Sequence, residues 1–346
     1  MRTISFTLFF IISVVIYSCS SSSITLNVLV PGDINVPQDI KRLAAVNRSL
    51  PAKGEGFNNV VEGIVSGEGL FIDKDASRKC IDGVANGLST SPRFTITVPG
   101  NLDLKGTGTA EWPIPIEWKQ VESICKDNQA DALLVLETFD SNAGHNIQKL
   151  DKKKTENGKE ISYVEFVALL DIGINAGWRI YDPKNKKVID QNIYIDHMTW
   201  EKAGPTEKDA VNLLPQQRGA TMDAGFFAGQ QYARRISPTW VNTSRSYYIK
   251  GNDQLKSAKR KVQLNQWNEA AELWQSSLND PKKKVGGRAA YNIALAAEVD
   301  GKLELAIEWA KKAYSDYGNK AARSYTNVLY QRQNDQVKLK QQMEGQ

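Results

Sequence analysis

The sequence predicts an α/β domain built on a mixed β-sheet, followed by an all-α region of helical hairpins. Three observations support this fold class. Strand-like and helix-like segments alternate between residues 41 and 138, two long β-branched segments flank a turn at Asp182-Pro183-Lys184-Asn185, and helical periodicity dominates from about Asn252 onward. Strands separated by helices pair in parallel, whereas strands joined by a tight turn pair antiparallel. The sheet should therefore contain both kinds of pairing.

The first half of the α/β domain alternates strands with helices. Residues 41–47 form a short apolar strand, and residues 75–90 carry apolar side chains at the i, i+3, i+4, i+7 spacing of an amphipathic helix. Residues 93–98 alternate with period two and are β-branched, which predicts a strand. Residues 117–129 are predicted to be helical, and the continuous apolar run over 130–138 indicates a strand buried on both faces.

The second half of the domain is predicted to contain a β-hairpin and a helix. Its two strands are residues 162–181 and 187–198, and turn residues join them. A basic loop that includes residues 152–154 precedes the hairpin, and a helix lies near residues 222–236. The hairpin should extend the sheet with antiparallel strands, which completes an α/β domain over residues 39–240.

Four short segments make this domain resemble the α/β domain at the N-terminus of the periplasmic protein TolB. That domain is shared with curli-secretion lipoproteins and with lipoprotein activators of cell-wall synthases. The segments are Lys41-Arg42-Leu43-Ala44-Ala45-Val46-Asn47, Leu88 through Ser91-Pro92-Arg93-Phe94, Ala130-Asp131-Ala132 and Trp178-Arg179-Ile180-Tyr181-Asp182. The likeness covers roughly residues 40–235. The whole layout also resembles an uncharacterised lipoprotein family of the Bacteroidota that ends in a tetratricopeptide (TPR) region.

The region 250–346 is predicted to be a TPR-like helical domain. Residues 289–314 carry the small residues of such a repeat in order, namely Ala294, Ala297, Gly301, Ala306, Ala310 and Ala313. Residues 255–280 form a weaker copy, and the segment 281–284 accounts for a spacing two residues longer than usual. A third half-copy resembles a capping helix. A generic helical hairpin would pack almost identically, and fewer than three repeats rarely make a stable solenoid alone.

Residues 1–18 are predicted to be a bacterial signal peptide. Their apolar stretch is flanked by Arg2 and is too short to span a bilayer. The segment Ile16-Tyr17-Ser18-Cys19 resembles a lipobox, which predicts lipidation at Cys19 and firm anchoring. Residues 19–38 are then predicted to form a polar tether. Surface-exposed lipoproteins of the Bacteroidota usually carry acidic residues after the cysteine, and this chain carries serines. We therefore expect a lipid-anchored protein of the cell envelope, on the outer membrane and facing the periplasm.

Composition and motifs favour binding over catalysis. Residues 251–346 hold 16 Lys and Arg against 11 Asp and Glu, too small and too mixed an excess for nucleic-acid binding. His145, expected in a polar loop, and His197, expected at a strand end, lack the spacing of a metal site. Cys80 and Cys125 could form a disulfide in an oxidising compartment, but buried free thiols are the favoured interpretation. The sequence predicts no enzyme and no cofactor.

The predicted function is a membrane-anchored scaffold or adaptor that binds another envelope protein or peptide. The predicted partner-binding groove runs along the first helix of each pair, and its cations and tyrosines suit an acidic peptide or a terminal carboxylate. The alternative is a regulator that docks its α/β domain on an envelope or cell-wall enzyme. A hydrolase or glycan-processing enzyme is the third and least favoured hypothesis. The predicted groove residues are Lys259, Arg288, Tyr291, Leu295, Tyr325 and Arg332.

Overall fold

The computed structural model describes residues 20–51, 67–100, 102 and 104–344. The predicted signal peptide and Cys19 lie outside the described residues. The described strands are β1 (Ser21–Val30), β2 (Arg42–Asn47), β3 (Thr95–Thr97), β4 (Ala132–Glu156), β5 (Lys159–Asp182), β6 (Lys187–Gly204) and β7 (Thr239–Tyr248). The described helices are α1 (Gly67–Ser89), α2 (Trp118–Asp127), α3 (Glu207–Asn212), α4 (Gln217–Ile236), α5 (Asp253–Gln263), α6 (Trp267–Gln275), α7 (Lys283–Val299), α8 (Leu303–Ser315) and α9 (Lys320–Met343).

The chain divides into two compact units. The α/β unit comprises Leu29–Val241 together with Val337–Gln346, and the helical unit comprises Met1–Val28 together with Asn242–Gln336. None of the described helices is both long enough and apolar enough to cross a membrane. Each unit has its own apolar core.

The sheet of the α/β unit is mixed, as the sequence predicts. Its strand order is β3-β2-β4-β5-β6. The strand β2 pairs in parallel with β3 and with β4, because helices α1 and α2 connect these strands. The strands β4, β5 and β6 pair antiparallel through tight turns. The predicted mixture of pairing is therefore confirmed.

Helices cover both faces of this sheet near its parallel strands. On one face, α1 and α4 pack over a core that includes Leu88, Trp178 and Tyr232, and the rings of Trp178 and Tyr232 stack at 4.8 Å. On the other face, α2 buries Val121 and Ile124 against β2 and β4. Burial on both faces explains why the start of β4 is a continuous apolar run.

The contact between α1 and α4 depends on glycines. A Cβ atom added at Gly229 would collide with the carbonyl oxygen of Cys80, and one at Gly83 would collide with that of Phe226. At Gly225 the added Cβ would lie 2.5 Å from the carbonyl oxygen of Ala76. The two helix backbones therefore approach closely because these positions carry no side chain.

The prediction of a basic loop around residues 152–154 is wrong. The strand β4 continues to Glu156, and Asn157-Gly158 turns it into β5 with positive φ at both residues, 50° and 74°. This is the backbone that a two-residue hairpin turn requires. The pairing of β6 with β5 ends at Phe166 and Gly204, so residues 150–165 form a two-stranded β-ribbon. We call this segment the ribbon.

Both histidines also lie inside strands. His145 belongs to β4, not to a polar loop, and His197 lies within β6, which continues six residues beyond the predicted end at 198 to Gly204. The strand predictions fail at these points because the outer parts of β4 and β6 are exposed and polar, so they lack the apolar pattern on which a strand assignment depends.

The predicted tether over residues 19–38 is wrong for its central part. Ser21–Val30 forms β1, which pairs with β7, a strand that the sequence analysis did not assign. Ile24 and Leu26 alternate with more exposed residues and pack against the core of the helical unit. This alternation is the period-two signal of a half-buried strand, which the preceding serines obscure.

The helical unit consists of helix pairs followed by a long helix. Helices α5 and α6 pack on each other, as do α7 and α8. Small residues allow the close approach, since Ala294 and Ala306 are fully buried. The prediction that the chain is helical from about residue 252 is confirmed.

The last seven residues of α9, from Val337 to Met343, belong to the α/β unit. The side-chain amide of Gln342 donates to the carbonyl oxygen of Gly32 at 2.9 Å and accepts from the backbone N–H of Gly32 at 3.0 Å. Gln38 donates to the carbonyl oxygens of Gln341 and Gln342. These bonds join the segment before β2 to the end of the chain.

Candidate functional site

The predicted groove is organised around one buried carboxylate, that of Glu298 on α7. Its side chain is fully buried, and it accepts hydrogen bonds from Arg332 at 2.7 Å and from the hydroxyl of Tyr325 at 2.6 Å, both on α9. Arg245 on β7 adds a two-pronged contact, with Nε and Nη2 each 3.0 Å from a carboxylate oxygen. One carboxylate therefore joins three elements of the helical unit.

The electrostatics of this centre favour ionised Glu298. Burial alone would raise its pKa, but hydrogen bonds from Arg245, Tyr325 and Arg332 outweigh burial and hold the pKa of Glu298 below its usual value. Burial and the same carboxylate raise the pKa of the Tyr325 hydroxyl, which stays protonated as a donor. Glu298 therefore has hydrogen-bond partners on both carboxylate oxygens, and both guanidinium groups are engaged within the unit.

The groove prediction is therefore wrong for three of its residues. Leu295 is fully buried in the core and Tyr325 is 5% exposed, so neither lines an open surface. Arg332 is committed to Glu298. Tyr291 is half-buried with its ring 4.9 Å from that of Tyr325, and burial raises its pKa to about 12. The physical reason is that Arg332 and Tyr325, which the sequence analysis assigns to a binding partner, donate to Glu298 instead.

The remaining predicted arginine, Arg288, lines a pocket at the other end of α7. We call this the basic pocket, and its volume is about 590 Å³. Arg288 donates to the carbonyl oxygen of Lys250, and its guanidinium lies 5.2 Å from the ring centre of Tyr248. The lining residues are Tyr248, Lys283, Lys284, Gly287, Arg288, Tyr317, Gly318, Asn319, Lys320 and Ala321.

Positive charge is concentrated around the basic pocket. Lys283, Lys284 and Lys320 are exposed, and within the described part of the chain none of the three has a carboxylate partner. With Arg288 they place four cations on one pocket whose lining contains no Asp or Glu. Nearby Asp280 is engaged by the side chain of Asn252 and by the backbone of residue 282. The residues that line the pocket therefore carry a net positive charge.

The backbone reinforces this charge. Helix α7 begins at Lys283 and α9 begins at Lys320, so the positive ends of both helix dipoles are at the pocket. Asn319 accepts from the backbone N–H of Ala321 at 3.2 Å and donates to the carbonyl oxygen of Gly287 at 3.0 Å, which fixes the two helix ends together. The arrangement suits a carboxylate or another anion.

Aromatic side chains form the walls of the basic pocket. Tyr317 packs on the first turns of α7, where a Cβ atom at Gly286 would lie 2.5 Å from its ring and one at Gly287 would lie 2.8 Å from its Cβ. The hydroxyl of Tyr248 donates to Asn319 at 3.4 Å. Rigid aromatic walls beside cations offer contact area to a peptide at low entropy cost.

Sequence reasoning named only Arg288 among the four cations of this pocket. In the sequence, Lys283 and Lys284 fall in the insertion between the predicted repeats, and no pattern singles out Lys320. Lys259, the other predicted groove cation, is half-buried on α5 and does not line the basic pocket. The signal that could have found the pocket is the run of lysines directly before a helix start, at the position of positive dipole charge.

The α/β unit also contains a buried charge cluster, but its groups satisfy each other. Glu137 is fully buried and contacts Arg48 at 3.0 Å and Arg179 at 3.4 Å, while Tyr181 donates to it. Arg179 also donates to the carbonyl oxygen of Pro113 at 2.8 Å, so the cluster holds the loop before α2 on the sheet. Among the described residues, no group of three or more His, Cys, Asp or Glu could hold a metal ion.

The two described cysteines are free and buried, as predicted. Burial raises the pKa of the Cys125 thiol to about 12, and it raises the pKa of Cys80 further. Both thiols are therefore protonated and unreactive in the folded protein.

Comparisons with known proteins identify domains without assigned activity. A family described as "Domain of unknown function (DUF6340)" matches residues 256–336. No curated protein matches this chain. Among solved structures, the chain is similar to a protein described as a neuraminyllactose-binding hemagglutinin homolog from Helicobacter pylori, with 12% identity, a TM-score of 0.24, and coverage of 59% of this chain and 86% of that chain. A second family matches residues 40–248, more than half of the sequence, and the chain therefore belongs to the family described as "Domain of unknown function (DUF8603)".

Proposed function

We propose that this protein is a lipid-anchored adaptor of the cell envelope that binds an acidic segment of another envelope protein in the basic pocket. The single observation that supports the proposal most is the set of four cations around a pocket lined by no carboxylate. An acidic segment or a chain-terminal carboxylate would neutralise these charges, and the tyrosine walls would hold its apolar parts.

The proposal includes the fold relationships that the sequence suggests. The helix pairs α5–α6 and α7–α8, followed by α9, are what a TPR-like region would contain, and the mixed sheet is compatible with a TolB-like domain. Lipidation at Cys19 and a position on the outer membrane facing the periplasm complete the proposed setting. In this role the protein performs no catalysis and uses no cofactor.

The test is affinity capture from crosslinked cell envelopes with a charge-reversed pocket. Lys283→Glu combined with Lys320→Glu should abolish capture of the partner that the wild-type chain retains, because the pocket would then repel an acidic segment. Deleting residues 251–346 is a poorer test, since it also removes Gln342, which holds the segment at Gly32.

A matched control is Lys311→Glu combined with Lys340→Glu. These exposed lysines lie in α8 and α9 outside the pocket, and the control makes the same change in net charge. An identical partner list for the wild-type chain and the Lys283→Glu, Lys320→Glu chain would show that the pocket does not bind the partner.

A further inference from the structure

The ribbon has an open edge on β5. Residues 159–165 pair with β4 on one side only, because β6 ends its pairing at Phe166. The open edge is bounded at one end by the turn Asn157-Gly158 and at the other by the end of β6 at Gly204. It is therefore a seven-residue strand edge, about 24 Å long, with unpaired backbone groups that can pair with another strand.

Apolar side chains on this edge are exposed. Ile161 is 42% exposed, and Tyr163 and Val164 are each 38% exposed. A two-stranded ribbon is only marginally stable in water, since it buries little surface. An additional strand on the open edge would cover part of these side chains and pair the free backbone groups.

The sequence of the open edge is complementary to itself when it is read in the opposite direction. It runs Lys159-Glu160-Ile161-Ser162-Tyr163-Val164-Glu165. If two copies align antiparallel with Ser162 opposite Ser162, then Lys159 faces Glu165 and Ile161 faces Tyr163 on one face, and Glu160 faces Val164 on the other. Each of these pairs forms twice, once on either side of the centre.

The alternation of side chains along a strand strengthens this match. Lys159, Ile161, Tyr163 and Glu165 point to the same face, so the opposite charges lie at the two ends and the apolar pairs lie in the middle. Opposite-charge and aromatic–β-branched pairs across antiparallel strands are both stabilising. In this register the hairpin turn of each copy reaches the point where β6 of the other copy ends.

We propose that the chain forms a two-fold symmetric dimer in which the open edges of β5 from two copies pair antiparallel around Ser162. The two ribbons then form one four-stranded sheet in the order β4-β5-β5-β4. A two-fold interface requires a self-complementary surface, and the charges at Lys159 and Glu165 supply that property. The occupant of the open edge is thus a second copy of this chain.

The test uses two single variants of the full chain in sedimentation velocity. At a concentration of ~100 µM, a dimer of micromolar affinity is almost fully formed. Lys159→Glu places Glu opposite Glu at both ends of the interface, and Glu165→Lys places Lys opposite Lys. Each variant alone should weaken dimerisation by ~10-fold or more.

Mixing the two variants separates charge pairing from misfolding. In a mixed dimer every end pair is again a Glu opposite a Lys, so an equimolar mixture should dimerise more tightly than either variant does alone. Lys149→Glu is the matched control, because this exposed residue is on β4 at the base of the ribbon, opposite Phe166, and away from the open edge. It should dimerise as the wild-type chain does.

A disulfide test fixes the register. Ser162→Cys should give a disulfide-linked dimer under oxidation, since the two cysteines would lie directly opposite each other, whereas Thr155→Cys on β4 should not. A monomeric wild-type chain at ~100 µM would overturn the proposal. A dimer that Lys159→Glu leaves unchanged, or a mixture of the two variants that dimerises no more tightly than each variant alone, would overturn it as well.

Discussion

Replacing Glu298 by Ala should lower the stability of the helical unit, so that this unit opens locally or unfolds globally more often than in the wild-type chain. The carboxylate accepts bonds from Arg245, Tyr325 and Arg332 at 2.6 to 3.2 Å. Its removal leaves two guanidinium groups that are only 12% and 21% exposed without a counter-charge. Breaking a buried ion pair by removing one partner costs about 3–5 kcal/mol.

Hydrogen exchange measured by mass spectrometry is the appropriate assay, because it reports on α7 and α9 separately from the α/β unit. A loss of about 3–5 kcal/mol corresponds to exchange faster by roughly two to nearly four orders of magnitude. Glu298→Gln keeps the shape and loses the charge, and it should cost about 2 kcal/mol. The control Glu308→Ala, at an exposed position on α8, should change exchange little.

The pH dependence follows from the lowered pKa of Glu298. Its folded pKa lies below the unfolded value of 4.5, so its contribution to stability is fully present above that pH. The contribution is lost as the pH falls through the folded pKa. The wild-type chain should therefore lose more protection below pH 4.5 than Glu298→Gln does. Equal exchange in Glu298→Ala and Glu308→Ala would refute the structural role of this carboxylate.

Three further substitutions test the α/β unit. Burial raises the pKa of Asp73 to about 6, so stability should fall as pH rises from 3.8 to 6, by at most about 3 kcal/mol, and Asp73→Asn should remove that slope in urea titrations. Gly229→Ala should cost about 1–3 kcal/mol in thermal melts, because its Cβ meets the carbonyl oxygen of Cys80. Gln342→Ala should cost about 1–3 kcal/mol of stability and speed hydrogen exchange at the backbone N–H of Gly32, which loses its acceptor. Exchange at Gly32 equal to that of the wild-type chain would contradict this role of Gln342.

Much of the fold follows from apolar patterns in the sequence. The strand β2, the start of β4 and the helix α2 are buried on one or both faces, so their side chains carry the periodicity of the element. The ribbon was missed because its strands are exposed and polar. Its turn, Asn157-Gly158, is nevertheless a strong hairpin signal. It favours a β-hairpin even though the run of lysines before it suggests an exposed loop.

The candidate site was less accessible to sequence reasoning. Glu298 stands among cations and tyrosines in the predicted groove, and its partner Arg245 lies 53 residues away on β7, a strand that was not assigned. Only the folded structure shows that this carboxylate engages Arg245 and Arg332 together. The basic pocket likewise joins residues from the starts of α7 and α9, which helix periodicity does not bring together.

The central claim is that the basic pocket binds an acidic segment of another envelope protein. A photo-crosslinking amino acid at Tyr317, which lines the pocket, tests this most directly in living cells. The same group at Tyr314, an exposed residue of α8 outside the pocket, is the control. The account predicts an adduct with an acidic segment from position 317, none from position 314, and loss of the adduct when Lys283 and Lys320 are changed to Glu. Equal adducts from both positions, or an adduct that survives the charge reversal, would contradict it.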